Sequence, residues 1–424
     1  MPNKISYILT RLNKIQRLSW NSDIYKTSIN IHCEANHVSN DILEEDLVKV
    51  FSPFYRLQKL LGVCRVDTRD NIVTSLKMSQ KLYTCLFLII APILVISMML
   101  LYLDRYNNYK MLQEVITFMS YLEIILYICN VTNLRFFNNV DNVNFLLKMH
   151  KIDCLMKIEK NNLLTSIMYK ENRNTVLVLI VLYLGLCGIL IFNECVIFLT
   201  AFGVTYIQLT YMLEFLHFSC LMFCFTTRLK FSNAIIMNHL KPESVHITTT
   251  MPIKKLMRRL AADNNDFVDC RIENYIKELI NCFYEFQNLF QYQILLFFLK
   301  MFFSCMCYMH FLIVSLKDHS LRLIDTYIMI FLFIIDGLLI SLACVRCEAF
   351  YREAKTTRRL SISVLSIYTD GPIREKARTI LKTLDEKPPV FSVYQIWNLK
   401  ADTMVHVTGI LTTIFFNVLQ FNYL

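Results

Sequence analysis

Thr413, Asn417 and Gln420 stand at i, i+4 and i+7 near the end of the chain, within TIFFNVLQFNYL. At 3.6 residues per turn the three positions share one face of a helix. They offer a hydroxyl and two amides, neutral oxygen ligands that can replace part of a cation's hydration shell without holding the ion fast. A helix in lipid avoids such a stripe, so this face must meet water or other helices. Two readings stand: a pore lining, with Phe421 or Leu424 as an apolar constriction, or a hydrogen-bonded seam of the kind Asn and Gln form in membrane bundles. His406 precedes the stripe by seven residues and falls on the same side.

A second set of chemically capable residues lies inside other apolar runs. Glu123, Glu214, Lys300 and Asp336 are ionisable groups in stretches that otherwise suit lipid. A charge at the bilayer centre costs about 2.5–3.5 kcal/mol. Each is therefore expected to be neutralised, paired or turned to a cavity, in an intramembrane polar network or against a ligand. Lys300 is also long enough to snorkel to the cytosolic side. Around them lie Tyr121, Asn193, Glu194, Thr205, Tyr206, Gln208, Tyr211, Tyr308, His310, Asp325 and Tyr327, which with Asp336 populate the outer halves of the apolar segments. Aromatic walls with a few polar groups are what a small-ligand pocket contains. The same tyrosines would equally belt a membrane interface.

The elements that must position these groups are helices. Apolar residues make up 55% of the 424 positions, while only 7 are Gly and 8 are Pro. A soluble chain of this length needs turn-rich linkers that such a composition does not supply. Seven stretches are long and apolar enough to span a bilayer, near 82–103, 115–135, 174–198, 203–227, 290–316, 323–346 and 402–424. The basic residues orient them. Of the 44 Lys and Arg, 39 fall in the N-terminal region and the segments after the second, fourth and sixth stretches. Four fall in the remaining loops, and Lys300 lies within a span. The expected fold is thus all-α and polytopic, with seven transmembrane helices, a cytosolic N-terminus and an extracellular C-terminus. Its parts are a cytosolic region 1–81; helices one to four over 82–227 with a cytosolic loop 136–173; a cytosolic extension 228–289; helices five and six over 290–346; a second cytosolic region 347–401; and the last helix, 402–424. Ile276, Leu279, Ile280, Phe283 and Phe286 have amphipathic spacing, so helices four and five are expected to continue below the membrane and pack there.

Several function classes conflict with this pattern. MPNKISYILTRLNKIQRLSW lacks the apolar core of a signal peptide. The fifteen cysteines show no external pairing, and Cys344-x-x-Cys347 continues an apolar helix, which favours buried free thiols. The sequon at Asn130 lies inside an expected span. No HExxH, GxSxG or histidine box is present, so no enzyme, metal or cofactor is expected. A G-protein-coupled receptor would place the N-terminus outside, and Asp104-Arg105-Tyr106 follows the first helix on the wrong side for that class. A secondary transporter would need Gly- and Pro-broken helices that seven glycines do not provide. Anionic inner-leaflet lipid accounts for the +10 charge without nucleic acid.

The N-inside, seven-span layout with a C-terminal signature resembles the insect gustatory receptor family. That family ends in Thr-Tyr, five mostly apolar residues and Gln-Phe. Here Thr413, Ile414, Phe415 to Leu419, Gln420 and Phe421 fill the frame, with Ile414 in place of the tyrosine and Asn417 a polar intrusion. Pro53-Phe54-Tyr55 followed by Leu60-Leu61-Gly62 is a second likeness, in the segment before the first membrane helix. The resemblance implies a tetrameric ligand-gated cation channel in the plasma membrane of a sensory neuron. Four copies of the last helix would surround the pore, as a homotetramer or with related subunits. The lower parts of helices four to seven would form a cytosolic anchor, and each subunit would hold a small-molecule tastant in the outer half of its bundle. The sugar-sensing branch carries an acidic residue where Phe415 stands. The expected ligand is therefore a bitter or other non-sugar amphipathic compound, with a sugar-gated channel as the alternative.

Overall fold

The computed structural model describes residues 45–68, 72–106, 108–155, 162–194, 198–240, 272–317 and 323–423. The basic N-terminal stretch before 45 and the middle of the expected cytosolic extension, 241–271, lie outside the described residues.

The first described helix, α1 (Glu45–Leu60), precedes any membrane-length apolar run. Pro53 inside it withholds one backbone donor, and the Ser52 hydroxyl donates instead to the Lys49 carbonyl at 3.0 Å. The helix stops in a left-handed turn: Gly62 has φ +64°, Val63 N–H reaches the Gln58 carbonyl at 2.8 Å, and Gly62 N–H reaches Lys59 at 3.2 Å. These are the two bonds of a Schellman cap, and they give Leu60-Leu61-Gly62 a local reason to exist.

The helices that follow are α2 (Met78–Arg105), α3 (Lys110–Thr132), α4 (Asn139–Leu155), α5 (Asn162–Glu194), α6 (Phe198–Leu240), α7 (Ile272–Lys317), α8 (Leu323–Ile367), α9 (Pro372–Glu386) and α10 (Ala401–Tyr423). A π-turn over Asn133–Phe137 ends α3. Among the described residues five helical stretches are long and apolar enough to cross a membrane: Met78–Leu100, Lys110–Phe137, Thr205–Met237, Ile272–Ser315 and Ile330–Ile367. The other two apolar stretches of the sequence fall on α5 and α10. The architecture is all-α apart from one two-residue β-ladder, which suits a membrane-embedded chain because helices satisfy their own backbone groups where no water is available.

Three helices far exceed a bilayer. α6, α7 and α8 have 43, 46 and 45 residues, each roughly 65 Å at 1.5 Å per residue, against a hydrocarbon core of about 30 Å. At the end remote from the short connections they share an aromatic core. Phe218 stacks on Phe286 at 5.3 Å, Phe283 on Phe350 at 4.6 Å, and Phe391 meets Phe218 edge-on at 5.0 Å. Ile276, Leu279, Ile280, Phe283 and Phe286 are all fully buried there. α9 lies against this core, and Arg228 of α6 is clamped to Asp153 of α4 through 2.6 and 2.7 Å bonds.

A two-residue ladder joins the core to α10. β1 (Ser392–Val393) pairs antiparallel with β2 (Trp397–Asn398), around Tyr394 and Gln395 at positive φ. The Tyr351 hydroxyl of α8 donates to the Leu399 carbonyl at 2.8 Å and accepts from Phe391 N–H at 2.7 Å. One side chain thus pins both ends of the hairpin, and with them the start of α10. Elsewhere Gly203 lets α6 approach α2: a Cβ at that position would lie 2.3 Å from the Leu94 Cβ.

Candidate functional site

At the end of the bundle with the short connections, α2, α3, α5, α6, α7 and α8 enclose a cavity of about 180 Å³. Each wall is a helical stripe. α3 gives Ile116, Met119, Ser120 and Glu123, and α7 gives Ser304, Cys307, Tyr308 and Phe311, both at i, i+3, i+4 and i+7. α2 gives Val95, Met98 and Met99, with Tyr106 just past its end. α6 adds Thr205 and Gln208, α5 adds Leu186, and α8 adds Ile328 and Leu332. Tyr106, last of the Asp104-Arg105-Tyr106 tripeptide, serves as an aromatic wall, edge-on to Phe311 at 6.0 Å.

Behind Gln208 lies a buried ion pair. The Lys300 ammonium is 3.5 Å from one Asp336 carboxylate oxygen, and Gln208 Nε2 donates to the other at 3.2 Å. Both charged side chains are 1% exposed. Lys300 also sits 5.7 Å from the Tyr211 ring. The expected snorkelling of Lys300 is therefore corrected: a counter-charge on the neighbouring helix keeps it inside.

The polar residues expected to gather in one pocket divide. Thr205, Gln208 and Tyr308 line the cavity, and Asp336 backs it through Gln208. Tyr121 and Tyr327 are exposed on the outside of α3 and α8, positions suited to a membrane-facing belt. Tyr206 is buried away from the cavity, stacked on Phe87 at 5.0 Å with its hydroxyl donating to the Leu61 carbonyl. Tyr211 and His310 are buried outside the lining. Glu194 closes α5 and Asp325 lies in the first turn of α8.

Glu123 and Glu214, expected in one intramembrane network, belong to two. Glu123 lines the cavity. Glu214 accepts from Arg65 Nε at 2.9 Å and Nη2 at 2.5 Å, and from Gln58 at 3.1 Å. Arg65 Nη2 also donates to Gln293 at 2.6 Å, and its guanidinium lies 4.0 Å over the Phe290 ring. His217 completes this cluster beside Gln58, stacked on Phe54 at 5.2 Å. Nearby, burial pushes the Cys64 thiol up from its ordinary range, and its Sγ donates to the Val66 carbonyl at 2.9 Å. Sequence reading missed Arg65 and His217 as members. The one available signal was that a mid-span acid needs a counter-charge from somewhere.

α10 is the least covered helix of the bundle. Thr403, Met404, Val407, Leu411 and Ile414 form its partly buried stripe against α7 and α8, with Met404 Sδ 3.7 Å from the Ser341 hydroxyl. Thr413, Asn417 and Gln420 are exposed on another face. The hydroxyls of Thr408, Thr412 and Thr413 each donate to the carbonyl four residues back, at 2.8 to 2.9 Å. Their oxygen lone pairs therefore face outward. His406 lines an open groove of about 800 Å³ between α7 and α10, with Phe298, Trp397 and Ile410. Phe421 falls in the last turn of α10, and Leu424 lies outside the described residues.

No protein-family model matches the chain, and no curated protein matches it.

Proposed function

We propose that the chain is one subunit of a ligand-gated cation channel of the insect gustatory receptor type, with seven spans, a cytosolic N-terminus and an extracellular C-terminus. Copies of the chain, four by the family likeness, would surround a pore lined by α10, in the plasma membrane of a sensory neuron. The observation that carries this reading is the exposed polar face of α10. A helix of membrane length leaves Thr413, Asn417 and Gln420 uncovered by its own chain. Such groups are costly against lipid and inexpensive against a water-filled path. Other copies of α10 supply that path. The groove between α7 and α10 then lies where an adjacent subunit would pack.

The remaining parts have a place in the same scheme. The cavity at the short-connection end would receive the ligand. The fused lower ends of α6, α7 and α8 would hold the subunits together on the cytosolic side. Tyr351 and the hairpin would connect that base to α10. An amphipathic, non-sugar ligand suits the cavity, whose Met, Leu, Ile, Val and Phe walls are interrupted by the polar side chains of Ser120, Glu123, Thr205, Gln208 and Ser304.

The test is a patch recording from cells expressing this chain alone, in outside-out membrane without nucleotide, against panels of sugars and bitter plant compounds. A rapid cation current whose conductance changes with Gln420→Ala is expected. Silence at confirmed surface expression, with this chain alone and with related subunits, would count against a channel.

A further inference from the structure

We propose that the cavity binds a small organic cation, with its charge held by the Glu123 carboxylate and its apolar body against the methionine and aromatic walls. This rests on reading the cavity as the ligand pocket and names the class of molecule it accepts.

Three ionisable groups meet here, and they do not balance. Lys300 is committed to Asp336 at 3.5 Å, and the second oxygen of Asp336 is taken by Gln208. Glu123 forms no hydrogen bond or ion pair among the described residues, yet its side chain lines the cavity. Two carboxyls therefore share one ammonium, and the carboxyl left over faces the cavity. Among the described residues no Lys, Arg or His lines the wall, so an anionic ligand would find no partner there. A cation would find Glu123 together with the rings of Tyr106, Tyr308 and Phe311, whose negative faces attract positive charge. Met98, Met99 and Met119 supply flexible, polarisable contact for the apolar part. At about 180 Å³ the space is comparable to the ~150 Å³ cavity that admits benzene, which points to a ligand of one ring and a few further atoms.

The discriminating probes are benzyltrimethylammonium and its uncharged carbon isostere, neopentylbenzene. They share shape and differ in charge. Equilibrium binding of both is measured on the purified full chain in detergent micelles. The wild type is expected to prefer the cation by about tenfold or more, because a site built to pair a charge rejects the isostere lacking it. Glu123→Gln is expected to remove that preference while leaving neopentylbenzene binding within about twofold. Glu123→Asp, which keeps the charge, is expected to retain part of it. Equal affinity of the wild type for both probes would overturn the cation class and leave the pocket standing. A preference that survives in Glu123→Gln would overturn the role of Glu123. Failure of both probes to bind would overturn the pocket reading as well.

Discussion

Arg65 makes Glu214 tolerable. A carboxylate at that depth has no water to solvate it, and two nitrogens of Arg65 with Gln58 take that role. Removing one member of a buried pair strands the other, at about 3–5 kcal/mol, whereas replacing both with apolar residues is often close to neutral. Arg65→Ala is therefore expected to lower the denaturation midpoint of the purified protein sharply. Arg65→Met combined with Glu214→Met should recover most of the loss. Equal stability of wild type and Arg65→Ala would show that the pair is not buried. Residue chemistry was legible where it was costly: Glu123, Glu214, Lys300 and Asp336 stood out as charges in apolar runs. Their partners were not, since Arg65 is 149 positions from Glu214 and nothing local links them. Tyr121 could not share the Glu123 face, because two residues on a helix are about 200° apart.

Hydropathy located the helices, and the amphipathic spacing around Phe283 marked where α6 and α7 run on past the lipid-compatible part. The apolar runs fall on α2, α3, α5, α6, α7, α8 and α10, but α6 to α8 continue well past the lipid-compatible part. Their lower halves carry charges on one face, where a hydropathy window stops, while the other face is buried around Phe283 and Phe350. α1 was hidden for another reason: Pro53 reads as a helix breaker until Ser52 is seen to take up the freed carbonyl. Close helix approach was equally silent in the sequence. Gly203 is one of only seven glycines, and Leu94 fills the space its missing side chain leaves. Gly203→Ala forces α2 and α6 apart, and overpacking of this kind costs about 1–3 kcal/mol. A lowered thermal midpoint should follow, with Gly188→Ala, where nothing lies within 4 Å, as the silent control. An unchanged midpoint in Gly203→Ala would mean the two helices do not meet there.

At the scale of the whole molecule, topology and assembly decide the function. In the proposed orientation α4 lies in the cytosol, and Cys154 is exposed near its end. A membrane-impermeant maleimide should reach Cys154 only after permeabilisation. The signal is read as the labelling lost in Cys154→Ser, and its loss already in intact cells would invert the orientation. Assembly is the central claim: the exposed face of α10 is proposed to line a path between copies of the chain. Its most direct test is a cysteine scan of α10 in a Cys154→Ser background, treated in native membranes with a short bis-maleimide. Thr413→Cys, Asn417→Cys and Gln420→Cys should yield covalent dimers of the chain. Met404→Cys and Ile414→Cys, on the stripe against the chain's own α7 and α8 and outside the groove, should remain monomeric. Monomers at all five positions, or dimers without regard to face, would contradict a pore built from α10.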